Sequence, residues 1–139
     1  ICMVLFDENY YQRTMQTKAF FDLLIENEDV GIDDYIVVIG EFNSYKADEY
    51  DATQPYQHKK ISQESFRSVD EFISSGFIDS FDLCHKLCEN NQMIKNTYRT
   101  KYIFLSSKFA DDEYFNLVGS YLCSQPNGIS PDVVVDLYI

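Results

Sequence analysis

Short apolar runs alternate with amphipathic stretches along this chain, and that alternation constrains the fold more than any other feature. The first run is Ile1-Cys2-Met3-Val4-Leu5-Phe6, stopped by Asp7-Glu8-Asn9. A continuous apolar run of this length reads as a strand buried on both faces. From about 10 to 28 the period changes. Met15, Ala19 and Leu23 recur every four residues, with Phe20 and Leu24 beside them. That spacing predicts an amphipathic helix, with Asp7 or Asn9 as its N-cap and Gly31 as a turn residue past its end. Tyr35-Ile36-Val37-Val38-Ile39-Gly40 is a second buried strand, short and β-branched.

Residues 43–58 are polar, acidic and rich in tyrosine. They read as a loop with room for a short edge strand near Tyr45 or Tyr50. Residues 62–75 are predicted helical, started by a capping box of Ser68 and Glu71 or one turn earlier by Ser62. After Gly76 a further helix spans about 79–90, with Phe77, Phe81, Cys84 and Cys88 on one face. Lys101-Tyr102-Ile103-Phe104-Leu105-Ser106 is the third buried strand. Asp111-Asp112-Glu113 opens a predicted helix to about Cys123, its apolar face made by Tyr114, Leu117, Val118, Tyr121 and Leu122. Gln125-Pro126-Asn127-Gly128 is a turn, and 132–138 is the last strand.

This order predicts an α/β fold: a doubly wound, mostly parallel, Rossmann-like sheet with helices on both faces. Ligands of such sheets bind beyond the carboxyl ends of the strands. That rim is predicted to carry Asp7, Glu8, Asn9, Phe42, Ser106, Ser107 and Asp111.

The chain has 139 residues, the size of one domain spanning 1–139. Both ends are apolar strands, where termini are ordinarily polar and loose. A fragment of a longer chain is therefore expected. No apolar run is long enough to span a membrane, so no membrane partner is expected. Lys and Arg total 11 against 23 Asp and Glu, a formal charge of −12. Such a balance argues against gripping phosphate backbones by bulk charge. Cys2, Cys84, Cys88 and Cys123 sit in apolar-periodic segments and read as core thiols of a reducing, intracellular compartment.

The loop after the first strand has no glycine and carries two acids, so no nucleotide and no other cofactor is expected there. Asp7, Glu8 and Asn9 offer hard oxygen ligands that Ser106, Ser107 and Asp111 could complete around Mg²⁺. The plainer reading is an acidic helix start in solvent. Asp7, Asn9, Ser106 and Ser107 therefore stand as metal candidates beside it. Cys84-His85-Lys86-Leu87-Cys88 lacks the second ligand pair of a zinc site. His58 and His85 join no nucleophile motif, so no catalytic residues and no enzyme are expected. Lys59-Lys60 and the group Lys95, Arg99 and Lys101 read as solvated loop charge.

Element order and the residues at the strand ends resemble a von Willebrand factor A-type domain. In that family a metal site follows the first strand as Asp-x-Ser-x-Ser, with a further Asp after a later strand. Asp7 matches the first position, but Asn9 and Tyr11 stand where the two serines belong. Phe104-Leu105-Ser106-Ser107 lacks the later Asp. The resemblance thus implies a degenerate metal site. Within the family the chain is most similar to the N-terminal domain of Ku subunits, which bind DNA ends. The similar stretches are Val4-Leu5-Phe6-Asp7, Asp34-Tyr35-Ile36-Val37-Val38-Ile39-Gly40, Tyr102-Ile103-Phe104-Leu105-Ser106-Ser107, and Gly128-Ile129 followed by Val134-Val135-Asp136-Leu137.

That resemblance implies a non-enzymatic protein–protein interaction domain of a larger nuclear complex. The setting would be DNA double-strand-break repair by non-homologous end joining, or telomere maintenance. Its implied partners are a heterodimer subunit and docking peptides, with DNA contacted only by other parts of the protein. Acidic Glu8, Asp48, Glu49, Asp51, Asp111 and Asp112 mark the expected interaction surface for basic segments. Three alternatives stand beside it. One is a metal-dependent A-type ligand binder using Asp7 with Ser106 or Ser107. Another is a scaffold subunit of a proteasome or transcription-repair complex, and the third is a small-molecule enzyme on a doubly wound fold.

Overall fold

The computed structural model describes residues 2–27, 30–31, 33–47, 63–87, 99–111, 116–123 and 132–138. Strand β1 is Cys2–Leu5, helix α1 is Tyr10–Glu26 and strand β2 is Val37–Glu41. A single 3₁₀ turn at Gln63–Ser65 leads into α2, Arg67–Ser74. Then come β3 (Ile78–Asp79), α3 (Ser80–Leu87), β4 (Lys101–Leu105), α4 (Lys108–Asp111), β5 (Asn116–Cys123) and β6 (Asp132–Tyr138).

The fold is α/β, built on a mixed four-stranded sheet in the order β1-β2-β4-β3. β1 and β2 run parallel, with Val4 opposite Gly40. β4 runs antiparallel to both β2 and β3. The sequence predicts a mostly parallel sheet; of the three pairings in this sheet one is parallel. The physical reason is simple. An apolar run reveals that a strand is buried, but strand direction is set by the connection between strands.

Alternation along the strands separates two faces. Cys2, Val4, Val38, Tyr102 and Phe104 point to one face, where α1 lays Phe20, Phe21 and Leu24 and α2 lays Val69 and Phe72. Phe72 is the centre of that layer. Its ring lies 4.9–6.2 Å from those of Phe6, Phe20, Phe21, Phe42, Phe77 and Phe104. On the other face, Val37, Ile39, Ile103 and Leu105 meet Leu83 of α3 and Phe109 of α4.

Two apolar patterns are placed differently from their sequence reading. β1 is an edge of the described sheet, and Met3 and Leu5 on its second face are 86% and 76% exposed. α1 turns Arg13, Thr17, Phe20, Phe21 and Leu24 inward, leaving Met15, Ala19 and Leu23 outside. Large rings bury more area than Met and Ala, so they decide the helix rotation. Thr17 on the inward face is bonded, its Oγ1 lying 2.9 Å from the Arg13 carbonyl and 3.0 Å from Ser68 Oγ of α2. Ser68 is thus buried between helices and is no capping residue; α2 begins at Arg67.

The expected helix over 111–123 is a strand from Asn116. β5 pairs antiparallel with β6, and the register skips between Leu117 and Gly119. Such a bulge sets two residues against one and breaks the two-residue period, so the apolar spacing imitates a helix. The hairpin packs against α3 and β4. The expected turn at Gln125-Pro126-Asn127-Gly128, and the side chains of Cys84, His85, Cys88 and Cys123, lie outside the described residues. No described helix is long and apolar enough to cross a membrane.

Candidate functional site

The carboxyl ends of β1 and β2 meet where the first acidic loop begins. Asn9 is the α1 N-cap, its Oδ1 accepting from the backbone N–H of Tyr11 at 3.0 Å and of Gln12 at 3.4 Å. Asp7 Oδ1 accepts from the Asn9 N–H at 2.6 Å, and the Asp7 N–H donates to Gln16 Oε1. Beneath this loop Arg13 is buried and donates to the carbonyls of Asp7 and Glu8 at 3.2 and 3.1 Å. Burial pushes its guanidinium below the ordinary value, and Asp7 pulls it back up. Asn43, with φ 46°, donates from Nδ2 to the Phe6 carbonyl at 2.6 Å. These groups spend their hydrogen bonds closing the β1–α1 connection. Glu8 remains exposed on its outside.

Ser106, Ser107 and Asp111 lie at the opposite end of the sheet. Because β4 is antiparallel to β2, Leu105 stands opposite Val37, while Leu5 stands opposite Glu41. The four steps from Val37 to Glu41 alone span roughly 13 Å at about 3.3 Å per residue. The structure therefore does not bring Asp7 and Asn9 together with Ser106 and Ser107. Ser106 Oγ is used locally, donating to the Asp34 carbonyl at 2.5 Å and accepting from the Ile36 N–H at 3.1 Å. Ser107 and Asp111 are exposed around α4. Among the described residues, no three His, Cys, Asp or Glu side chains converge as a metal cage. Asp48, Glu49, Asp51 and Asp112 lie outside the described residues.

Charge converges elsewhere, where β2 leads out toward α2, β3 and α3. Arg99 was read as solvated loop charge, yet its side chain is 0% exposed and that of its partner Asp79 is 1% exposed. Nη1 donates to Asp79 Oδ1 at 3.2 Å and Nη2 donates to Oδ2. This is the paired fork that guanidinium and carboxylate favour. The guanidinium carbon sits 4.8 Å from the Phe81 ring centre and 4.7 Å from that of Tyr102, a cation–π contact with each. Asp79 Oδ1 also accepts from the Phe81 N–H at 3.1 Å, so it caps the start of α3. Burial pushes the Asp79 carboxyl above its ordinary value, and Arg99 offsets that only in part.

Beside this pair lies a pocket of about 410 Å³. Its described lining is Lys46, Ala47, Asp70, Ile73, Phe77, Ile78, Asp79 and Asp82. Lys46, 6% exposed at its side chain, forms an ion pair with Asp82 on the pocket wall. Ile73, Phe77 and Ile78 supply its apolar lining, and Asp70 on that lining is exposed. Asp79 is paired with Arg99 and Asp82 with Lys46, and Asp70 adds a third carboxylate to the described lining. Such a lining accepts a long aliphatic stem ending in a cation.

Sequence reasoning missed this site because its members lie far apart in the chain. The one local signal was Tyr102, three residues after Arg99 in the strand that Arg99 precedes. Comparisons with family models, with curated proteins and with solved structures returned no match.

Proposed function

We propose that this chain is a non-enzymatic protein–protein interaction domain that docks basic segments of its partners. The observation that carries the reading is the pocket beside the Lys46–Asp82 pair, whose described lining sets Asp70, Asp79 and Asp82 next to the apolar Ile73, Phe77 and Ile78. The formal charge of −12 adds long-range attraction for a basic partner. Large apolar side chains exposed on β1 and α1, among them Met3, Leu5, Met15, Leu23 and Ile25, suit contact with a larger partner subunit.

The sequence resemblance supports, as part of the proposal, an A-type domain on a doubly wound sheet. Within that class the proposal is a Ku-like role in a nuclear DNA-repair or telomere complex, as one subunit of a heterodimer. DNA contact would then belong to other parts of the protein. The test is titration of the chain with a Lys- and Arg-rich peptide at rising salt. Binding that weakens as salt rises supports the reading. Absent or salt-independent binding contradicts it.

A further inference from the structure

We propose that the pocket seats one lysine or arginine side chain of the basic partner segment, and that Lys46 holds that seat in the free chain. This rests on the reading that the domain docks basic segments, and it names where and how. Three observations point to it. The lining of Ile73, Phe77 and Ile78 offers apolar surface to a four-carbon stem. Asp70 and Asp82 stand on the lining, where the head group of such a stem would arrive. The Lys46–Asp82 ion pair shows that this wall already receives a primary ammonium, at a side chain only 22% exposed.

Asp79 is less suited to the incoming cation. Its two oxygens are engaged by Arg99 and the Phe81 N–H, and it lies almost fully buried behind the wall. Asp82 is nearer solvent and bears one ammonium that another can replace. Lys46 therefore acts as an intrachain competitor. A partner cation must displace it, and the affinity of the pocket is set by that exchange.

The test is peptide affinity measured on the full chain and four variants, with a Lys- and Arg-rich peptide and its glutamine-substituted counterpart. Asp70→Asn and Asp82→Asn are each expected to weaken binding about tenfold, the scale of one charge-assisted contact. Lys46→Met is expected to tighten it about tenfold, because the competitor is gone. Asp22→Asn, at an exposed position of α1 outside the pocket lining, is expected to change nothing. Asp82→Asn takes a carboxylate from a buried ammonium, whereas Asp70→Asn, at an exposed position, tests the seat with the Lys46–Asp82 pair intact. Peptide that binds wild type and all four variants alike overturns the pocket and leaves the docking reading standing. Equal weakening by Asp22→Asn does the same. Tighter binding absent from Lys46→Met overturns the competitor role. No binding by wild type or by Lys46→Met overturns both the pocket and the docking reading.

Discussion

Arg99 and Asp79 form a paired ion contact with side chains 0% and 1% exposed, and the guanidinium lies against the rings of Phe81 and Tyr102. The pair ties the segment before β4 to the junction of β3 and α3, twenty residues away in the chain. Taking two charges out of water is costly, so the pair holds the fold only while both members are present.

Arg99→Met removes the cation and leaves a buried carboxyl. The expected loss is about 3–5 kcal/mol of unfolding free energy, measured by urea melts at neutral pH. The double variant Arg99→Met, Asp79→Leu is expected to regain much of that, since an apolar pair needs no charge compensation. A single variant as stable as wild type would show that the pair contributes nothing.

The same variant has a defined pH dependence. Asp79 is already held above its ordinary value of 3.8 by burial. A carboxyl raised in the folded state binds protons more readily there than in the unfolded chain. Its contribution is fully present below 3.8 and is lost as pH rises through the folded value. Without Arg99 the folded value moves higher still. The stability gap between wild type and Arg99→Met is therefore expected to widen as pH rises from 3.8 toward neutrality. A gap that narrows over that range contradicts this assignment.

Gly40 stands opposite Val4 in the one parallel pairing among the described strands. A Cβ at this position would overlap the Val4 carbonyl oxygen. Gly40→Ala is expected to push β1 off the sheet, at a cost near the top of about 1–3 kcal/mol. Urea melts give the size, and faster amide exchange confined to β1 and β2 identifies the place. Unchanged stability would mean that the two strands do not approach this closely.

The metal reading has its own check. Asp7 and Asn9 lie at one end of the sheet and Ser106 and Ser107 at the other. The melting temperature is expected to be the same in Mg²⁺ and in EDTA. An ion bound only by the folded state must raise it. A higher melting temperature in Mg²⁺ contradicts the separation of the two ends.

The sequence made legible what depends on neighbouring residues. β1, α1, β2 and β4 lie close to where apolar runs and helical spacing placed them, and Asn9 caps α1 as its side chain and position suggest. The rest depends on contacts between distant segments. Nothing local in Tyr102-Ile103-Phe104-Leu105 encodes its antiparallel direction. β5 was misread because a bulge near Val118 disturbed its period. Arg99, in a polar stretch, resembles any surface cation until Asp79 and Phe81 are brought against it. The pocket was invisible for the same reason, since Lys46, Asp70 and Asp82 meet only after β2, α2 and α3 pack.

Amide hydrogen exchange with and without a Lys- and Arg-rich peptide is the most direct measurement of where such a segment docks. The expected result is slower exchange across residues 70–82, which line the pocket, with β1 unchanged. Unchanged exchange across 70–82, or slowing confined to β1, would contradict docking at the pocket.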